Sequence, residues 1–177
     1  MGPPRQPEHL NAGMVERRKP LSEAQCVAHL RRANAVAQRA MALGHHPFGA
    51  ILVAPDGETV LAEQGNIDSV NHAESTLART AATNFTPDYL WECTLVTTAE
   101  PCAMCAGTQY WAHIGHVLYG MTEQRLLELT GSAEDNPTMH LPCREVFARG
   151  QKPIEVTGPV AAVEEEIAAL HRDFWNK

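Results

Sequence analysis

Beyond residue 20 the apolar positions of this chain fall into alternating helical and strand-like runs. Ser22 and Gln25 form a capping box, and Val27, Leu30, Ala33, Ala37 and Met41 follow at helical spacing until Gly44 stops the run. Gly49–Ala54 is a short apolar stretch ended by Pro55, Asp56 and Gly57, and Val60–Asn66 resumes on the far side of that turn, which predicts a hairpin. Asn71–Thr83 has helical spacing, Thr94–Thr98 is rich in β-formers, Cys102–Ala112 is helical, and His116–Tyr119 is a strand closed by Gly120. A short helix near Glu123–Leu129, a polar loop from Gly131 to Pro142 and a strand around Ile154–Thr157 come next. The last helix carries Val163, Ile167, Leu170 and Phe174 on one face, with Glu164, Glu165 and Glu166 in its first turn, where the helix dipole favours negative charge.

A hairpin followed by strands that alternate with helices requires right-handed crossovers and a sheet covered on both faces. The fold class predicted is therefore α/β, a three-layer α-β-α sandwich with a central mixed sheet of about five strands. Residues 1–20 read differently. Pro3, Pro4, Pro7 and Pro20, with the basic trio Arg17, Arg18 and Lys19, form an arm that is mobile or ordered only on contact, and residues 21–177 form the one domain. Internal repeats are absent.

Composition narrows the class. With 177 residues, 44% of them hydrophobic, the chain can bury a full core, yet no apolar run approaches the roughly 18 residues of a membrane span. Met1–Gly13 is too polar and Pro-rich for a secretory segment, so a cytoplasmic protein with no membrane partner is expected. The formal net charge of −7 makes nucleic acid an unlikely main partner. Five cysteines in such a chain are expected to be reduced thiols, which turns attention to metal binding or catalysis.

Cys102 and Cys105 are three residues apart in a helix's first turn, where their sulfurs converge on one face and the exposed N–H groups favour thiolate. A Cys-x-x-Cys alone also fits a redox motif or half of a structural zinc site, for which Cys143 is the one spare cysteine to name as a fourth ligand; Cys26 and Cys93 read as small buried apolar residues. His72, at the start of the preceding helix, changes the balance. Two thiolates and one imidazole are a common zinc set that leaves the fourth tetrahedral corner for water, and Glu74 beside it supplies a base. Glu74 also stands three residues after Asn71, the spacing of a capping box.

His72-Ala73-Glu74 followed by Pro101-Cys102-Ala103-Met104-Cys105 resembles the H-x-E and P-C-x-x-C pair of the cytidine deaminase-like zinc deaminases. The resemblance runs from about Leu21 to the final helix. It is closest to the purine-acting branch: His46-Pro47-Phe48-Gly49-Ala50, Asn66 ahead of the first motif, and Tyr110-Trp111-Ala112 are similar to strings in bacterial guanine deaminases. What the resemblance implies is one Zn2+ per chain on His72, Cys102 and Cys105, with Glu74 as the catalytic residue that moves protons from water to a ring nitrogen and to departing ammonia. It also implies that Asn66 hydrogen-bonds the heterocycle, that the backbone near Ala73 touches its polar edge, and that Phe48 and Trp111 offer stacking faces. Kinship suggests a homodimer, and His171-Arg172-Asp173-Phe174-Trp175 corresponds to a segment that closes over a partner's site in guanine deaminases. Ser75 departs from the family's apolar residue after H-A-E, and the 131–142 loop matches no guanine-deaminase loop.

The expected function is zinc-dependent hydrolytic deamination of a small purine-like base, guanine being the best single choice. The alternatives are another small heterocycle (a cytosine-type base, triazine, pterin or nucleoside) and the adenosine of tRNA. Acidic net charge and Phe48 count against tRNA, and the Arg17–Lys19 trio favours it. A zinc-stabilised binding module without catalysis fits less well, because Glu74 is retained.

Overall fold

The computed structural model describes residues 15–131, 134, 136–172, 174 and 175. The arm's first fourteen residues, and Asp173 of the C-terminal string, lie outside this set. Twelve elements are seen among the described residues: α1 (Glu23–Ala42), β1 (Gly49–Val53), β2 (Val60–Gly65), α2 (Ala73–Asn84), α3 (Pro87–Trp91), β3 (Thr94–Ala99), α4 (Ala103–Ala112), β4 (His116–Met121), α5 (Glu123–Thr130), α6 (Cys143–Ala148), β5 (Glu155–Thr157) and α7 (Ala161–His171). None of the helices is long and apolar enough to cross a membrane.

The sheet has the order β2-β1-β3-β4-β5. β1 is antiparallel to both β2 and β3, while β3, β4 and β5 are parallel. Four strands thus run one way and β1 the other, as a mixed sheet of five demands. Alternating side chains divide the core in two. Ala50, Leu52, Leu95 and Val117 face a layer made by α2, α3, α4 and α6, with Leu77, Leu90, Ala106 and Phe147 packed against them. Ile51, Val53, Val96 and Leu118 face α1, α5 and α7 through Leu30, Leu126 and Ile167. This is the expected three-layer sandwich.

Several boundaries differ from expectation. Gly120 does not close its strand: β4 continues to Met121, and the absent side chain leaves room for Ile167 of α7 to lie directly on the strand. Two short helices, α3 and α6, occupy stretches with no helical period. α3 is set by local chemistry, with Thr86 accepting from the Tyr89 N–H and Pro87 at the first helical position. Residues 15–20 lie against the body: Lys19 N–H bonds the Pro55 carbonyl at 2.9 Å, and Arg18 donates its backbone N–H to Glu92 and pairs with Glu155 at 2.8 Å.

α1 seats closely on β1. A methyl group on Gly49 would collide with the Ala33 carbonyl oxygen and come within 2.5 Å of the Ala37 nitrogen, both backbone atoms of α1. Gly49→Ala should therefore cost about 2–3 kcal/mol, lowering Tm by about 5–10 °C in a thermal melt.

His116 opens β4 with both ring nitrogens engaged, Nδ1 2.9 Å from Thr94 Oγ1 and Nε2 2.8 Å from Thr157 Oγ1. Burial, helped by the Arg18 charge, pulls its pKa down to about 4. The neutral ring is native, so between the unfolded pKa near 6.5 and the folded value only the unfolded chain takes up a proton, and stability is lost as pH falls through that window. In urea titrations at pH 7 and pH 5, His116→Gln should lose less stability on acidification than the wild type; equal losses would refute the assignment.

Candidate active site and metal centre

Sheet direction decides where chemistry gathers. The carboxyl ends of β2, β3 and β4 and the amino end of β1 all meet one edge of the sheet. Phe48 precedes β1, Asn66 follows β2, Glu100 and Cys102 follow β3, and Glu123 follows β4. Open α/β sheets place ligands in this kind of crevice. A cavity of about 300 Å³ lies here, lined by Phe48, Asn66, His72, Glu74, Cys102 and Glu123, together with apolar groups that include Ala99 and Leu126.

His72 and Cys102 are the N-cap residues of α2 and α4, each extended in backbone conformation and neither using its side chain to cap. Both side chains are thereby left to point outward from the helix start. Nδ1 of His72 lies 3.6 Å from Cys102 Sγ and 3.5 Å from Cys105 Sγ, and the three ligand atoms lie within 4.8 Å of one another. A tetrahedral zinc with Zn–N and Zn–S bonds near 2.0 and 2.3 Å sets nitrogen and sulfur about 3.6 Å apart, so the donor set fits the ion in both spacing and chemistry. Nε2 of His72 is 3.0 Å from the Ser69 carbonyl. As an N–H donor there, it fixes the tautomer that leaves the Nδ1 lone pair facing the sulfurs.

The thiols behave as a pair sharing one proton. The hydrogen bond from Cys105, and then that with His72, hold the Cys102 thiol down to about 4 against the effect of burial, while Cys105 is correspondingly pushed up. The same hydrogen bond to Cys102 raises His72. Cys143 is not in the cluster. It is buried as the first residue of α6, where burial and the nearby Glu100 raise its thiol pKa.

Glu74 is 5% exposed, with Oε1 2.7 Å from the Thr97 hydroxyl, and burial raises its pKa. Asn66, 3% exposed, is fixed by its backbone, which donates to Phe48 O at 3.0 Å and accepts from His45 Nδ1 at 2.7 Å. Ala73 points its methyl into the core and is not among the cavity-lining residues. Ser75 is accommodated, although buried, because its hydroxyl bonds the His72 carbonyl at 3.3 Å.

Trp111 is not brought to the cavity. It is 80% exposed on the outer side of α4, its ring edge-on to Tyr110 at 5.2 Å and beneath the Lys152 ammonium at 5.3 Å. It stands six positions beyond Cys105, and six helical steps carry a side chain about 120° around the helix from where it began. The C-terminal string lies on its own chain: Phe174 and Trp175 contact His46 at 5.6 and 4.7 Å, and His171 lies 5.1 Å from Phe48.

Residues outside the recognised motifs complete the walls. Asn136, Pro137, Thr138 and Met139, from the polar loop, line one side. The Glu100 carboxylate accepts the Glu123 N–H at 3.0 Å on Oε1 and the Cys143 N–H at 2.8 Å on Oε2, tying the starts of α5 and α6 to the metal-binding loop. The signal for Glu100 was its place immediately before Pro101-Cys102. Glu123 gave only the ordinary signal of an acidic helix start.

Residues 24–121 match the profile of the cytidine and deoxycytidylate deaminase zinc-binding region. The chain belongs to this deaminase family. It is 35% identical to a probable cytosine deaminase of Schizosaccharomyces pombe, over 85% of this chain and 92% of that one. It is 40% identical to the guanine deaminase of Bacillus subtilis over 41% of this chain and 49% of that protein, and tRNA-specific adenosine deaminases are also among its relatives. The fold is shared with a guanine deaminase from Nitrosomonas europaea at a TM-score of 0.62 and 21% identity, covering 98% of this chain and 100% of that one. Members of the family are zinc-dependent hydrolytic deaminases, and the His72–Cys102–Cys105 cluster is where this deaminase can hold its zinc.

Because the metal clips two helix starts together, Cys102→Ala should lose both zinc and stability, even in a minimally perturbed fold. Zinc quantified against protein is expected to fall from one per chain to near zero, with a lower Tm. Stoichiometric zinc in the variant would contradict the ligand assignment.

Proposed function

We propose that this deaminase hydrolyses the exocyclic amine of a free purine-like base, with guanine the leading substrate, and releases ammonia. The observation that carries the reading is Glu74, a buried carboxyl that shares one cavity with the ligand residues His72 and Cys102 and with Asn66. His72, Cys102 and Cys105 would hold a zinc ion, which would supply the Lewis acidity that lowers the pKa of a water. Glu74 is the proton carrier. It takes a proton from a water and gives it to a ring nitrogen as the C–O bond forms, then takes the remaining hydroxyl proton of the addition product and gives it to the amine as the C–N bond breaks and ammonia leaves. Its pKa, raised by burial, suits a group that must both accept and return protons. The Thr97 hydroxyl beside Oε1 orients the carboxyl.

Asn66 is proposed to hydrogen-bond the ring, and Phe48 to pack against its flat face, since both line the cavity. Support for a small substrate comes from the cavity's volume of about 300 Å³ and the net charge of −7. The motif strings and the Bacillus subtilis relative favour guanine. A cytosine-type base is the second reading, favoured by the Schizosaccharomyces pombe relative, which aligns over nearly its whole length. A homodimer is the proposed assembly; exposed Trp111 on α4 is the type of residue an interface covers.

Ammonia release should be screened over guanine, cytosine, adenine, the corresponding nucleosides and tRNA. Guanine turnover is expected to exceed that of the rest, and activity confined to tRNA would overturn the reading. Glu74→Gln should keep its zinc and lose about 10²–10⁴ in kcat. Undiminished turnover in that variant would refute the proton-carrier role.

A further inference from the structure

One buried carboxyl in the cavity takes no part in the proton relay. Glu123, 4% exposed, opens α5 at the end of β4, and its Oε2 has no hydrogen-bond partner among the described residues. A carboxyl oxygen removed from water and left unpaired is costly, and in a residue that lines a binding cavity it points to a ligand as the missing partner. The group is also held in place: the Glu123 N–H is bonded to Glu100 Oε1, so its position is referred to the loop that carries Cys102. The sheet order sets Asn66, after β2, and Glu123, after β4, on opposite flanks of the crevice with β1 and β3 between them.

We propose that Glu123 is the specificity-determining residue of this site: its unpaired oxygen donates a hydrogen bond to a ring carbonyl of the heterocycle, so that oxo-bearing bases are taken and adenine-type rings refused. The inference rests on the nucleobase reading above. A donor role follows from the surroundings. Burial first, and then the nearby Glu100 carboxylate, push the Glu123 carboxyl up to about 8, against the Leu141 backbone N–H, so it carries a proton at neutral pH. A neutral acid offers an O–H, and the matching group is a carbonyl. Guanine and cytosine each have one beside a ring N–H or nitrogen; adenine has none. Glu123 lies just beyond residue 121, where the match to the shared zinc-binding region ends, as befits a residue that sorts substrates rather than runs the common chemistry.

Binding is to be measured by calorimetry on zinc-loaded protein in a Glu74→Gln background, which separates affinity from turnover, with guanine, cytosine and adenine as probes. Adding E123A should weaken guanine and cytosine by about 10- to 100-fold, leaving adenine unchanged. E123Q, whose amide keeps an N–H donor, should stay within about 5-fold. With Glu74 intact, E123A should raise KM with little change in kcat. Should E123A fail to fold, E123M keeps the length without the hydrogen-bonding group. Unchanged affinities in E123A, or an E123Q defect as large as that of E123A, would overturn the inference. An ammonia screen negative for every free base in the wild type refutes the function proposed above, and failure of the Glu74→Gln protein to bind any base refutes both.

Discussion

Because β2, β3 and β4 run in one direction while β1 runs against them, the segments that leave those three strands and the one that enters β1 are forced to one edge of the sheet. His72 and the Cys102–Cys105 pair come from helices α2 and α4 that pack side by side on one face, and their first turns meet above that edge. The adjacency costs little in backbone strain. Both Nδ1–Sγ distances are those of a tetrahedral zinc shell, so the scaffold's spacing fits the ion.

The same convergence concentrates acid. The Cys102 thiol and the carboxyls of Glu74, Glu100 and Glu123 line one small cavity, with the Cys105 thiol buried beside it. Each handles its charge differently. The thiols share a proton, Glu74 and Glu123 are raised by burial, and Glu100 accepts two backbone N–H groups at helix starts. A divalent cation is the natural complement to so much latent negative charge. Glu100, sharing its chain turn with Cys102, then transmits the position of the metal loop to α5 and α6, and through them to the residues that close the cavity.

Legibility in the sequence follows from how local the determining physics is. The long helix α1, the hairpin and the two motif helices were readable because their periodicity and caps are local, as were the zinc ligands, whose residue types and spacing admit few other chemistries. α3 and α6 were not, since five and six residues carry no helical period. Trp111 was misplaced for another reason: the string around it is motif-like, but the turn of α4 aims it away from Cys105. Glu123 looked like any acidic first-turn residue until tertiary packing removed it from water. Residues 136–139 gave no sign of their role as a wall, because a loop's sequence does not say which cavity it crosses.

His72, Glu74 and the Cys102–Cys105 pair sit in and beside the helices that follow β2 and β3, within residues 24–121, which match the zinc-binding family profile. Glu123, Leu126 and the 136–139 wall all lie past residue 121, on a short helix and a loop that no strand holds. Glu100 ties α5 and α6 to the metal-binding loop through backbone N–H groups, which any residue except proline supplies, so those bonds do not depend on which side chains stand at positions 123 and 143. The metal cluster and the cavity wall past residue 121 are thus joined in part by bonds that do not depend on side-chain identity.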